Sequence, residues 1–517
     1  MNRKHDPDPL DFHIMYKILF ATSEVYPIVK TGGLADVSRS LPRALKSLHH
    51  DVRIIVPAYR QAVAVAGKLN PITRVKLPTG EATILEGILP GSLLKVWLVD
   101  YPPLYGRSGD PYLGPDGTSW RDNAERFAFF SRVVVEIALN RAKLSWQPDI
   151  VHCNDWQTGL VPALLTLETD RPATVFTIHN LAYQGLFPYS TFAALDLPRS
   201  WWSFTALEFH GRLSFIKGGL VFADRVNTVS PSYAKEIQTP EYGCGLHGLL
   251  SHEKDRLSGI LNGIDTKDWD PGSDPYLIKT YNKQTLKGKS ENKAALQKIF
   301  RLPQDPKVPL IGLIGRLVHQ KGIDLVIEAL PEIMALPVQM VLLGSGDASY
   351  EDLLFDLSVK YPKQLSVRIG YDEALAHMIE AGSDMFLMPS RFEPCGLNQM
   401  YSQHYGTVPV VRRAGGLADT VIDANDANQK AKISTGIMFE NMDVTELLIA
   451  IERALELYLN NKVWKTIQLT GMKQDFSWRH SAKQYELLYK QTLESSIQEA
   501  RDRFDASRQS SRHKHLG

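Results

Sequence analysis

The chain has 517 residues, with 58 Lys and Arg against 57 Asp and Glu, a formal net charge of +1. That balance excludes a general electrostatic pull toward nucleic acid or acidic membranes, so partners have to be sought in local sites. The length exceeds what one hydrophobic core usually organises, which predicts two domains with small extensions.

Residues 1–14 are polar and interrupted by proline, which reads as a disordered N-terminal extension. No apolar run of about 18 residues follows, so neither a signal peptide nor a spanning helix is expected. A cytoplasmic location fits, with no membrane partner and no nucleic-acid partner. Cys153, Cys244 and Cys395 lie far apart without a CxxC pair. This argues against a disulfide framework and a structural zinc site, and no metal is expected.

Short β-rich runs then alternate with helical patterns at 17–22, 52–57, 94–99, 150–152, 174–178 and 225–229. That rhythm predicts parallel βαβ units and a first doubly wound, Rossmann-like domain over 15–260. Within it, Lys30 precedes Gly32-Gly33-Leu34-Ala35-Asp36 at the carboxyl end of the first strand. A cation beside exposed amides at that edge suits a phosphate grip, although a solvated lysine near a tight turn would look the same.

Two further strand ends in this domain are polar, His152-Cys153-Asn154-Asp155-Trp156 and His179-Asn180-Leu181-Ala182-Tyr183-Gln184-Gly185. Imidazole, carboxylate, amide and aromatic groups gathered at one edge suit a polyhydroxylated ligand, which needs donors and acceptors together. Asp155 and His179 are candidates on that ground. His152 could equally be a core histidine held by backbone.

The stretch 261–300 opens with Leu261-Asn262-Gly263-Ile264-Asp265 and is rich in Asp, Pro, Gly and Lys, as an interdomain linker or hinge would be. A second strand series follows at 310–314, 339–343, 365–369, 385–388 and 408–411, predicting a second Rossmann-like domain over 301–476 across a cleft from the first. Arg316 and Lys321 bracket its first strand-to-helix turn. Two cations there can neutralise a diphosphate and stabilise charge growing on a departing nucleotide.

After the strand at 385–388 comes Ser390-Arg391-Phe392-Glu393-Pro394-Cys395-Gly396-Leu397-Asn398-Gln399. Amides at the helix start can hold phosphate while Glu393 accepts hydrogen bonds from sugar hydroxyls. The quintet of the first domain returns as Gly415-Gly416-Leu417-Ala418-Asp419. This repeat can mean a second anion-binding turn or a tight turn kept for packing. A C-terminal helix is expected over 477–505, crossing back to the first domain, with a flexible tail over 506–517.

Together these segments resemble the bacterial glycogen synthase and plant starch synthase family, retaining glucosyltransferases of the two-Rossmann-domain (GT-B) type. The likeness runs from about Tyr16 to Tyr489. It includes Glu208-Phe209-His210-Gly211, Phe215-Ile216-Lys217 and Thr228-Val229-Ser230-Pro231-Ser232-Tyr233-Ala234. What the resemblance implies is transfer of glucose from ADP-glucose to the non-reducing 4-hydroxyl of an α-1,4-glucan such as glycogen, without a metal or other cofactor.

By the same resemblance, Lys30 would touch the donor, Asp155 and His179 would line the sugar site, and Arg316 and Lys321 would hold the diphosphate. Glu393 would orient the glucose ring, and the Gly396 and Leu397 amides would cap the distal phosphate. Gly33, Asn262, Cys395 and Asn398 complete the implied substrate-binding set.

Two positions depart from relatives. Tyr401 stands where many related retaining transferases carry a second glutamate, and His247 where an acidic residue is usual. UDP-glucose as donor and a non-catalytic glucan-binding protein are the alternatives. Asp268-Trp269-Asp270 mimics a metal-binding DxD triplet, but beside Pro271 it reads as turn chemistry.

Overall fold

A computed structural model describes residues 14–513, with side chains described to residue 498. The expected disordered extension at 1–14 therefore falls, but for its last residue, outside the described residues. The chain divides into two compact units. Met1–Ile178, Ala182–Val226 and Ala482–Gly517 form the first, and His179–Leu181 with Asn227–Ser481 form the second.

In the first unit seven strands lie side by side in the order Ala173–Ile178, Ile150–Asn154, Lys17–Ala21, Asp51–Pro57, Lys95–Asp100, Gly80–Ile88, Asn70–Leu77. The first five run parallel. Ile18, Leu19, Phe20 and Ala21 are all fully buried, as a strand covered on both faces requires. The chain leaves Lys17–Ala21 first to one side and later to the other. Its carboxyl end and that of Ile150–Asn154 therefore flank the switch point, where such sheets bind ligands.

The antiparallel pair Asn70–Leu77 and Gly80–Ile88 was not anticipated. Its strands are only partly buried and mix charged with apolar residues, so no continuous apolar run marks them.

The second unit holds a six-stranded, all-parallel sheet: Leu365–Ile369, Gln339–Gly344, Leu310–Ile314, Met385–Met388, Val408–Arg412, Ile437–Phe439. In sequence rank this is 3-2-1-4-5-6, the doubly wound order, with the switch point between Leu310–Ile314 and Met385–Met388. Helix Ile323–Ile333 packs its Ile323, Val326, Ala329, Leu330 and Ile333 into the core beneath it.

Residues 261–300 are built into the second unit. The Ile264 amide donates to the Phe476 carbonyl at 2.8 Å, and Lys289–Ile299 is a helix. The C-terminal helix runs Trp478–His513, longer than expected, so only residues 514–517 of the predicted tail lie outside the described residues.

From Ala482 onward this helix belongs to the first unit, where the Tyr489 hydroxyl meets His152 Nδ1 at 2.8 Å. Nε2 of the same ring meets Thr177 Oγ1 at 2.6 Å, so His152 is a satisfied core histidine. No described helix is long and apolar enough to cross a membrane.

Candidate functional site

In the second unit the two loops that leave the switch-point strands are tied together. After Leu310–Ile314 the chain makes a short turn, His319–Lys321, ended by Gly322 in the left-handed region at φ 70°. A Cβ there would lie 2.1 Å from the Pro389 carbonyl oxygen, so only glycine lets the two loops approach this closely. Lys321 Nζ then reaches Glu393 Oε2 at 2.5 Å, and Ser390 Oγ donates to the same oxygen at 3.0 Å. Glu393 is buried and Lys321 partly so, which makes the pair a directed, charge-assisted contact.

Arg391 forks onto Asp324 at 2.6 and 2.7 Å and donates to the His319 carbonyl at 2.9 Å. Its amide donates to Gln320, whose side chain returns a bond to the Phe392 carbonyl. Arg391 is thus a brace for the loop that carries Glu393. Arg316 is exposed on the same turn and contacts Gln320 Oε1 at 3.3 Å.

Beyond Glu393 the chain turns at Gly396, φ 72°, and enters the helix Asn398–His404. The Asn398 side chain donates to the Ile314 carbonyl at 3.0 Å, anchoring this turn to the end of the other switch strand. Burial pushes the Cys395 thiol up to about 12, against a hydrogen bond with the Asn262 backbone. Cys395 is therefore an inert packing group rather than a nucleophile. Asn262 is buried alongside it.

The second glycine pair turns out to be a packing device. Added Cβ atoms at Gly415 and Gly416 would lie 2.0 Å from the Glu393 carbonyl oxygen and 2.1 Å from that of Cys395. The Gly416 amide donates to the Glu393 carbonyl, and the Gly415 amide to Glu236 Oε1. The Gly416 amide thus holds the backbone of the Glu393 loop from behind.

Asp268-Trp269-Asp270 is a turn, as its neighbouring proline implied. Asp270 accepts from the Gly272 amide at 2.9 Å and from Ser273 Oγ at 3.1 Å. Tyr401, at the position of the second glutamate in related transferases, is buried and stacks on Trp269.

His179 opens the short stretch of the second unit that follows strand Ala173–Ile178. Part of it stays accessible, yet desolvation pushes its imidazole down to about 3, so it is neutral near pH 7. A neutral ring can both donate and accept toward hydroxyls.

In the first unit, Lys30 is exposed, pairs with Asp36 Oδ1 at 3.0 Å and lies over the Tyr26 ring. The glycine-pair amides are not all open to a ligand. Glu24 takes the Thr31 amide at 2.5 Å and the Gly32 amide at 3.2 Å, and accepts from Tyr112 at 2.5 Å. Gly33 itself faces open space.

Asp155 is buried at φ 56°, a strained conformation for a residue with a Cβ, at the end of Ile150–Asn154. Glu24, Asp324 and Glu236 were not singled out from the sequence. Glu24 sits at the same strand end as Lys30, a positional signal, but its burial is a tertiary fact.

Lys321, Glu393, Arg316, Gly396, Leu397, Asn398, Cys395 and Asn262 are thus gathered in the second unit around one switch point. Lys30, Gly33 and Asp155 lie at the ends of the two switch strands of the first.

Comparison with known proteins bears on both units. The family described as "Starch synthase catalytic domain" matches residues 17–252, and "Glycosyl transferases group 1" matches residues 296–467. Glycogen synthase 1 of Methylococcus capsulatus is 56% identical over 92% of this chain and 97% of its own length. Glycogen synthase of Thioalkalivibrio sulfidiphilus is 55% identical over 92% and 99%.

Among solved structures, the catalytic domain of Starch Synthase IV from Arabidopsis thaliana, bound to ADP and acarbose, superposes with a TM-score of 0.83. It is 34% identical, covering 93% of this chain and 99% of that one. Sucrose-phosphate synthase from Thermosynechococcus elongatus, at 17% identity and a TM-score of 0.57, shares the fold.

Proposed function

This chain belongs to the bacterial glycogen synthase and plant starch synthase family, and from that premise we propose that it transfers glucose from ADP-glucose to the non-reducing 4-hydroxyl of an α-1,4-glucan, retaining the anomeric configuration and releasing ADP. It is a hexosyltransferase of glycogen synthesis, and we place it in the cytoplasm. The observation that carries the placement of the donor site is the contact between Lys321 and Glu393 at the switch point of the second unit.

Breaking the glycosyl–phosphate bond leaves positive charge on the sugar and negative charge on the diphosphate. Lys321 and Arg316 serve the diphosphate, in a setting where fixed cations need no reorganisation as charge develops. Glu393, held in place by Lys321 and Ser390, accepts from the glucose hydroxyls and orients the ring. The amides of Gly396 and Leu397 face the distal phosphate in this reading, with Asn398, Cys395 and Asn262 shaping the turn.

In this reading Lys30, beside Gly33, touches the donor, and Asp155 and neutral His179 line the sugar site. With position 401 given to a stacked tyrosine, the helix after Glu393 offers no second carboxylate there. Same-face attack, in which the acceptor hydroxyl passes its proton to the leaving phosphate, is therefore favoured over double displacement.

The test is a donor competition on glycogen primer with ADP-glucose and UDP-glucose, in wild type, Glu393→Ala and Lys321→Ala. Transfer from ADP-glucose should dominate, and each variant should lose roughly 3 to 4 kcal/mol of transition-state stabilisation, a rate loss of 100-fold or more. Wild-type rates in both variants would sink the site assignment, and a preference for UDP-glucose would sink the donor.

A further inference from the structure

Trp269 lies in the stretch that the sequence marks as a linker, yet three separate apolar clusters of the second unit pack against it. Its indole is sandwiched between two rings. His377 lies on one face at 3.6 Å between centroids, 14° from parallel, and Tyr401 on the other at 4.0 Å and 15°.

Both flanking rings are anchored. His377 sits on helix Glu373–Gly382, with Nδ1 2.7 Å from Asp274 Oδ2 and Nε2 3.6 Å from Glu373. The Tyr405 hydroxyl donates to the same Asp274 oxygen at 2.6 Å, and Tyr276 packs against the ring at 4.9 Å. Burial pulls the His377 pKa down, but the Asp274 and Glu373 carboxylates outweigh it and leave it raised. Protonation of that ring, which the carboxylates favour, adds electrostatic attraction to the stack on the indole face.

Tyr401 is the other anchor. It lies on helix Asn398–His404, which grows directly out of the turn that carries Glu393, Gly396 and Leu397. A seven-residue helix has too few internal hydrogen bonds to hold its own direction, so its orientation is set by what packs on it. Trp269 is a large, flat surface on that face. We propose that Trp269, clamped between His377 and Tyr401, is a positioning residue for glucosyl transfer: it fixes helix Asn398–His404 and thereby the aim of the Glu393–Leu397 turn at the donor.

This rests on the donor-site reading given above. The effect therefore falls on the donor side. A residue that only filled the core would lower the folded fraction without changing the kinetics of the molecules that remain folded.

The experiment compares Trp269→Leu, which keeps apolar bulk but loses the ring, with Trp269→Phe, which keeps a ring. Tyr401→Leu removes the stack from the other side and serves if Trp269→Leu does not fold. KM for ADP-glucose, KM for glycogen and ADP affinity by calorimetry are measured on full chains whose circular dichroism matches wild type.

The leucine variants should raise the ADP-glucose KM about tenfold and weaken ADP binding in step, while the glycogen KM stays within about twofold and Trp269→Phe recovers most of the loss. A folded leucine variant with wild-type donor KM overturns the proposal. So does a parallel rise of both KM values, or a phenylalanine variant no better than leucine. Wild-type protein that neither transfers from ADP-glucose nor binds ADP sinks the donor reading and this proposal with it. Normal wild-type behaviour with unchanged variants sinks the positioning role alone.

Discussion

Gly32-Gly33-Leu34-Ala35-Asp36 in the first unit and Gly415-Gly416-Leu417-Ala418-Asp419 in the second are the same five residues, each opening a helix after a parallel strand, and they do different work. Around Gly33 an added Cβ would meet nothing within 4 Å, whereas Gly415 and Gly416 are pressed against the backbone of Glu393 and Cys395. Asp36 pairs with exposed Lys30. Asp419 instead gathers Ser230 Oγ at 2.6 Å, the Ser232 amide at 2.9 Å and Ser232 Oγ at 2.6 Å. One turn is left open at its sheet edge, and the other braces the loop that holds Glu393. The lesson is that a local motif fixes backbone shape, while its surroundings choose its task.

The largest effect expected from breaking this contrast is at Gly416. A methyl group 2.1 Å from the Cys395 carbonyl oxygen meets rigid backbone. Gly416→Ala should therefore cost on the order of 3 kcal/mol and displace the Glu393 loop, seen as a drop in thermal midpoint together with lost activity. An unchanged melting curve would mean the loop can yield. Next comes Asp419→Ala, which strands two serine hydroxyls and one amide and should cost about 1–3 kcal/mol by denaturant titration. Asp36→Ala loses its solvent-exposed pair with Lys30 and should cost less than about 1 kcal/mol.

A smaller effect sharpens what the turns share, because each has an amide held by a glutamate, buried at Glu24 and partly buried at Glu236. Desolvation raises the Glu24 and Glu236 carboxyls above the usual 4.5, with hydrogen bonds opposing it in both cases. The folded chain then keeps protons that the unfolded chain releases, so this contribution to stability falls as pH rises from 4.5 through the raised values. Glu24→Gln and Glu236→Gln should flatten that decline, and midpoint-against-pH curves superimposable on wild type would refute it.

Smallest of all is Gly33→Ala, which should leave stability within about 0.5 kcal/mol of wild type. Any change in that variant should show in substrate KM, since the new methyl group points into open space.

Much of the fold was legible because buried parallel strands write themselves as continuous apolar runs. Leu310–Ile314, Leu365–Ile369 and Met385–Met388 were placed to the residue. Asn70–Leu77 and Gly80–Ile88 escaped because one side of each strand stays wet and carries charge. Lys321 and Glu393 were singled out because each is a charged residue beside glycines after a strand, at the edge where such sheets bind ligands. Glu24, Asp324, Glu236 and Trp269 were not. A carboxylate reads the same in sequence whether it is solvated or held on an amide or a guanidinium, and a tryptophan beside Asp, Lys and Pro reads as linker until its partners are known.

By itself the sequence determined the alternation of strand, turn and helix, and the glycines that permit close turns. These depend on periodicity and φ preferences that act within a few residues. Only the tertiary structure decided that Lys321 would meet Glu393 across 72 positions of chain, that one glycine-pair turn would stay open while its copy became a brace, and that Trp269 would lie between His377 and Tyr401. Those outcomes rest on long-range packing and on burial. Burial sets the cost of leaving a charge or an amide unpartnered, and no local stretch of sequence carries it.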